Sequence, residues 1–198
     1  YSRVALEDTV DILRQNNIAS VGAGKNYDEA NAPATFTIGD THLAFLAYTT
    51  LFNSNNHDHP YVEAHRQSSG LSEFDEEKIK TRVQDMKKSG AADLVIISLH
   101  WGTEYQTHSN KDQQKIAREL IDAGADMIIG HHPHVAQEIE KYGNGWIAYS
   151  LGNFVFDQNF SEETMKGLMV RATIQDKKII SFEPLQIQLN STYQPYIP

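Results

Sequence analysis

The chain is 198 residues long with a formal net charge of -9, from 17 Lys and Arg against 26 Asp and Glu, and leaves no basic stripe for a nucleic-acid backbone. A hydrophobic fraction of 40% and a charged fraction of 22% fit one globular domain, residues 1–198, with its own core. No apolar run approaches the roughly 20 residues that span a bilayer, and without cysteine any metal here is held by nitrogen and oxygen.

Leu6, Val10, Ile12 and Leu13 fall near helical spacing, so residues 4–17 are expected as a helix. Residues 18–21 then lead into Gly22-Ala23-Gly24 as a short strand leads into a turn. Residues 35–38 and 42–48 are β-rich and flank Gly39-Asp40-Thr41, the pattern of an antiparallel hairpin. The polar stretch 49–70 reads as a long surface loop, a kind of segment that is often functional. Ser72, with Asp75 three residues on, is a capping signal for a helix that carries Ile79, Val83 and Met86 and ends near Ser89-Gly90.

A buried strand over 94–99 follows directly; Ile116, Leu120 and Ile121 mark a helix that stops at Gly124; and 127–129 is the next buried strand. Helix, strand, helix, strand is an α/β signature. Two further hairpins are expected, 136–142 with 146–150 around Gly143-Asn144-Gly145, and 168–174 with 179–182 around Asp176-Lys177-Lys178. The expected fold is α/β, with packed mixed β-sheets flanked by helices.

The chemistry concentrates where two buried strands end. One runs into His100, followed by Trp101-Gly102; the other runs into Gly130-His131-His132-Pro133-His134. Imidazoles at that density beyond strand ends point to a metal site. In an extended segment His132 and His134, two positions apart, would project to the same side, with Pro133 stiffening the backbone between them. His100, His132 and His134 are therefore the candidate ligands, and capping of strand-end backbone is the structural alternative. His131 would point the other way, towards substrate or behind the ligands.

Glu104 and Tyr105, on the loop after His100, either touch substrate or orient a ligand, or simply pack the loop. Asn153 and Asp157 lie in one stretch after Ser150, and Asn153, beside Gly152, donates to a phosphate-like oxygen or satisfies turn backbone. Trp101 and Trp146 read as core or rim aromatics.

Three motifs in order carry a resemblance: Ser98-Leu99-His100-Trp101-Gly102 with Glu104-Tyr105, then Gly130-His131-His132-Pro133-His134-Val135, then Tyr149-Ser150-Leu151-Gly152-Asn153-Phe154-Val155-Phe156-Asp157. They resemble the signature of the CapA/PgsA capsule-biosynthesis family, as do the supporting stretches Val21-Gly22-Ala23-Gly24 and Ala44-Phe45-Leu46-Ala47-Tyr48-Thr49. The resemblance implies a role in poly-γ-glutamate synthesis or export and a calcineurin-like metallophosphoesterase fold. It also implies divalent ions of the Mn, Zn or Fe type, with His100 matching the lone metal histidine and His132 and His134 the His-x-His pair.

On that reading the chain is the C-terminal portion of a four-layer metallophosphatase-like domain lacking its N-terminal strands. The early Asp-bearing strand end, the bridging carboxylate and the Asn-Asn-His element of that superfamily are expected upstream. Asn55-Asn56-His57-Asp58-His59 resembles the last of these but follows the 45–49 strand, and so reads as a solvated loop. Two ions roughly 4 Å apart need a shared anionic bridge, so this chain is expected to hold one ion, or none.

Two functions stay open: a metal-dependent hydrolase in the intact parent, and a non-catalytic module that binds the anionic polymer or partners of the capsule machinery. The resemblance further implies a place on the extracellular side of the bacterial membrane, anchored through a segment upstream. Exposed sheet edges would favour self-association.

Overall fold

The computed structural model describes residues 2–50 and 63–198, so Asn55-Asn56-His57-Asp58-His59 lies outside the described residues. Ser2 caps α1 (Arg3–Gln15), its hydroxyl accepting from the Ala5 N–H at 3.3 Å. The apolar run 18–21 is not the strand; β1 is Ala23–Gly24, and Ile18 is exposed. A one-turn helix, α2 (Tyr27–Asn31), has no apolar periodicity to announce it and is capped by the Asn26 side chain. β2 (Ala34–Ile38) and β3 (Thr41–Thr49) make the expected antiparallel hairpin. β4 (Gly70–Leu71) pairs antiparallel with β1, and this distant partner, rather than local hydrophobicity, is what sets the strand at 23–24.

Asp75 caps α3 (Glu76–Ser89), accepting from the Lys78 N–H at 3.2 Å. The Ser72 hydroxyl is buried and instead donates to the Ala30 carbonyl at 2.8 Å. Then come β5 (Leu94–His100), α4 (Lys111–Asp122), β6 (Met127–His131), β7 (Ile139–Tyr142), β8 (Gly145–Ala148), β9 (Lys166–Gln175), β10 (Lys178–Leu189) and β11 (Pro195–Tyr196).

Six strands form one mixed sheet in the order β2-β3-β5-β6-β8-β7. Its four inner strands are parallel, and β2 and β7 are antiparallel edges. Parallel neighbours need crossovers: β6 returns to β8 through β7, and the β3-to-β5 and β5-to-β6 connections carry α3 and α4. These two helices cover one face, where Ile79, Val83, Ala117 and Leu120 meet Leu46, Val95, Ile97, Leu99 and Ile128. The other face packs on a second sheet, ordered β11-β10-β9, through Leu43, Ile96, Met127 and Phe182, with Trp146 stacked on the Phe182 ring at 5.0 Å.

This gives three layers: helices, mixed sheet, antiparallel sheet. The outer face of the second sheet, with Met169 and Ile180, is exposed among the described residues. Also among the described residues, no helix is long and apolar enough to cross a membrane. Because β3, β5 and β6 run in register, their carboxyl ends fall in a row, Thr49 opposite His100 and His100 opposite His131. Ligand sites of open parallel sheets lie at that edge.

Candidate metal centre

At the row's end the ladder is extended by the Trp101 N–H, which donates to the His131 carbonyl at 3.0 Å. The buried Trp101 indole N–H donates to the Tyr149 carbonyl at 3.0 Å. Gly130 makes that contact achievable: a Cβ there would sit 1.8 Å from the Tyr149 oxygen and 2.5 Å from Trp101 Nε1.

Beyond β6 the backbone is not the extended segment that the alternating His132 and His134 suggest. His132 has φ 101° and His134 φ 59°, both left-handed, and Tyr105 on the facing loop has φ 61°. Each such residue costs on the order of 1–3 kcal/mol and persists only where its surroundings fix it. The turn nonetheless gathers the rings, with His132 4.9 Å from His100 and 6.1 Å from His134, centroid to centroid.

The ligand atoms that converge are those of Glu104, His132 and His134, all within 4.8 Å of one another. Thus Glu104 joins the two histidines of the turn, while His100 stands beside His132, outside the converging three. No other group of this kind is found among the described residues.

Glu104 is brought there by its loop. Gly102, at φ 90°, lies against the Gln113 side chain, where a Cβ would come within 2.9 Å of the amide carbon. The Gln113 amide donates to the Gln137 side-chain oxygen at 3.1 Å, and Gln137 Nε2 donates to the Gln106 and His108 carbonyls at 2.8 and 3.1 Å. The Tyr105 N–H donates to the Pro133 carbonyl at 2.8 Å, joining the two histidine-bearing loops. Gln113 and Gln137 are 2% and 4% exposed, and sequence reasoning missed both. Gln113, three residues after the helix cap Asn110, had a readable capping-box signal; Gln137 had none.

Asn153 is buried, and its Oδ1 lies 2.9 Å from His134 Nδ1. Its amide NH₂ already donates to the Thr164 carbonyl at 3.0 Å and to Gln158 Oε1 at 3.3 Å. Oδ1 is therefore the acceptor, His134 carries its proton on Nδ1, and Nε2 is left with a free lone pair. Tyr105 stacks on the His134 ring at 6.0 Å, and Phe156 lies 4.9 Å from it. His131, His100 and Ser98 are among the residues that line a cleft of about 300 Å³, which His132 and His134 do not line. Asp157 is exposed, and among the described residues no hydrogen bond or ion pair holds it.

Electrostatics favour neutral rings. Burial among its neighbours, then the nearby His132, His131 and His134, push the His100 imidazole down to about 4 although the residue keeps solvent contact. Burial also lowers His131, and it lowers His132 against the opposing pull of the Glu104 carboxylate. The neutral imidazole is the form that ligates, and one carboxylate with imidazole nitrogens is a donor set for Zn, Mn or Fe.

A family profile described as bacterial capsule synthesis protein PGA_cap matches residues 1–158. The chain is 34% identical over 195 residues to capsule biosynthesis protein CapA of Bacillus anthracis, covering 96% of this chain and 46% of that protein. It is 32% identical to PGA biosynthesis protein CapA of Bacillus subtilis, covering 96% of this chain and 48% of the relative. The chain thus spans just under half the length of these two relatives. Among solved structures, sulfate thiohydrolase SoxB of Thermus thermophilus superposes with a TM-score of 0.52 at 17% identity, over 77% of this chain and 24% of that one. A hypothetical protein, also from Thermus thermophilus, gives 0.51 at 11% identity, over 79% of this chain and 61% of that one. These likenesses concern the fold alone. With motifs and sequence matches in accord, the chain belongs to the bacterial capsule synthesis protein (PGA_cap) family.

Proposed function

We propose that this chain carries a divalent-metal centre, held by Glu104, His132 and His134 with His100 alongside, in a protein of capsule poly-γ-glutamate synthesis at the bacterial cell surface. In the intact protein the centre serves hydrolysis of a phosphoester or related bond. The observation that carries the reading is the convergence of those three ligand atoms within 4.8 Å. The relatives' names, capsule and PGA biosynthesis protein, supply the biological setting.

A bound divalent ion would supply Lewis-acid polarisation of a phosphoryl oxygen and activation of water near neutral pH. The chain's own residues prepare for it. Glu104 offsets cationic charge. Asn153 holds His134 by its Nδ1–H, which leaves Nε2 as the nitrogen available to an ion, and such outer contacts typically govern affinity 10–100-fold. The Gln113–Gln137 pair fixes the loop that delivers Glu104.

Calorimetric titration with Mn²⁺ tests this reading. One ion per chain is expected, with binding abolished in His132→Ala; absence of binding in the unsubstituted chain overturns it. A second reading, a non-catalytic module of the capsule machinery, is favoured by there being one converging ligand group among the described residues, where a two-metal phosphoesterase needs a bridged pair. Turnover of an aryl phosphate by the Mn²⁺-loaded intact protein supports the hydrolase; metal binding by the intact protein without turnover supports the module.

A further inference from the structure

We propose that Tyr105, Phe156 and Phe160 form a ring-binding wall beside His134, so that the centre accepts a ligand with one anionic head and an adjoining planar ring rather than a run of poly-γ-glutamate. The inference rests on the metal reading above and specifies the ligand class of the same site.

Three observations support it. First, the wall is open: Phe160 is 63% exposed, Phe156 42% and Tyr105 41%, and Phe154 and Val155 beside them are exposed as well. Single exposed apolar residues need no explanation, but a contiguous group at a polar centre marks a binding surface. Second, the wall is built. The Tyr105 and Phe160 rings meet edge to face at 5.0 Å and 83°, and Tyr105 and Phe156 both contact the His134 ring. Gln158 ties the two sides together, donating to the Tyr105 hydroxyl at 3.2 Å while accepting from Asn153 at 3.3 Å. A ring landing there meets surfaces already ordered, which lowers the entropy cost of binding.

Third, the charges are wrong for a polyanion. Residues 98–110, 129–138 and 149–161, which carry the site among the described residues, contain no Lys or Arg, and they include Glu104, Glu138 and Asp157. Lys111 follows the first of these segments and Lys166 the third, where it is paired with Glu162 at 3.2 Å. A polymer with a carboxylate on every residue would meet repulsion along this rim. A single anionic head would be met by the metal, and its neighbouring ring by the wall, through the offset and edge contacts that aromatic pairs prefer.

The test compares phenylphosphonate, methylphosphonate and γ-linked tetraglutamate by calorimetry on the Mn²⁺-loaded chain. Phenylphosphonate is expected to bind about tenfold tighter than methylphosphonate, and tighter than tetraglutamate. Phe160→Ala, a change at an exposed position, should shrink the gap between the two phosphonates, and combined Phe156→Ala and Phe160→Ala should close it. Ile180→Ala, on the far face of the second sheet, should leave the gap as it is. Equal phosphonate affinities in the unsubstituted chain, a tighter tetraglutamate, or a ring preference that survives combined Phe156→Ala and Phe160→Ala each overturn the wall and leave the metal reading standing. Failure to bind Mn²⁺ removes the metal reading, and this inference with it.

Discussion

Under α3 and α4, the side chains of Val95, Ile97, Leu99 and Ile128 are closed off from solvent, whereas one to four residues further along the same two strands His100 is exposed and His132 takes a left-handed backbone. The first region follows the ordinary rule for a parallel sheet, apolar residues buried beneath crossover helices. The second breaks it with three left-handed non-glycine residues, Tyr105, His132 and His134, around one centre. Magnitudes explain how they coexist. Full burial of an aliphatic side chain contributes about 1.5–3 kcal/mol, and the helix-covered face holds many of them, enough to offset strain of order 1–3 kcal/mol per residue at the edge.

The sharpest way to break this contrast is at Gly130, where the two regions touch. Gly130→Ala forces a methyl into the Tyr149 carbonyl and the Trp101 indole. We expect loss of about 3 kcal/mol, or failure to fold, read as a fall in thermal midpoint. A variant that melts within a degree of the parent would show the strand ends to be pliable rather than clamped.

Asn153 separates chemistry from stability within the edge region. Asn153→Ala removes the acceptor for His134 and should weaken Mn²⁺ binding about 10–100-fold, while Asn153→Asp retains an acceptor and should recover most of that loss. Nitrogen NMR of His134 supplies an independent readout: the Nδ1–H form should dominate in the parent chain and lose its dominance in Asn153→Ala. An unchanged tautomer would limit Asn153 to holding Gln158 and the Thr164 carbonyl.

The smallest expected effect is acid sensitivity. His100, His131 and His132 are held below the ordinary imidazole value, chiefly by burial, so the unfolded chain takes up protons that the folded chain refuses. Their contribution is complete above about pH 6.5 and is lost as pH falls, the part due to His100 down to about 4, where that ring titrates when folded. Solvent contact at His100 keeps the effect modest. Urea midpoints at pH 7 and 5.5 should drop towards acid in the parent chain and drop less in His100→Asn; a midpoint that rises towards acid would reverse the sign.

Much of this molecule was legible in one dimension, because hairpins, amphipathic helices and buried strands are declared by neighbours a few residues apart. Gly39-Asp40-Thr41 announced its hairpin, the helix–strand alternation announced an α/β sheet, and the histidines marked the strand ends where the rings now lie close together. What needed the tertiary structure depends on partners far along the chain. β1 is placed by Gly70–Leu71. Glu104 meets His132 and His134 because Gln113 and Gln137, 24 residues apart, lock its loop. Asn153 finds a ring 19 residues away. Local order follows from side-chain period and backbone sterics, which a sequence displays; a site joins loops brought together by strand register, and register is fixed only when the sheet assembles.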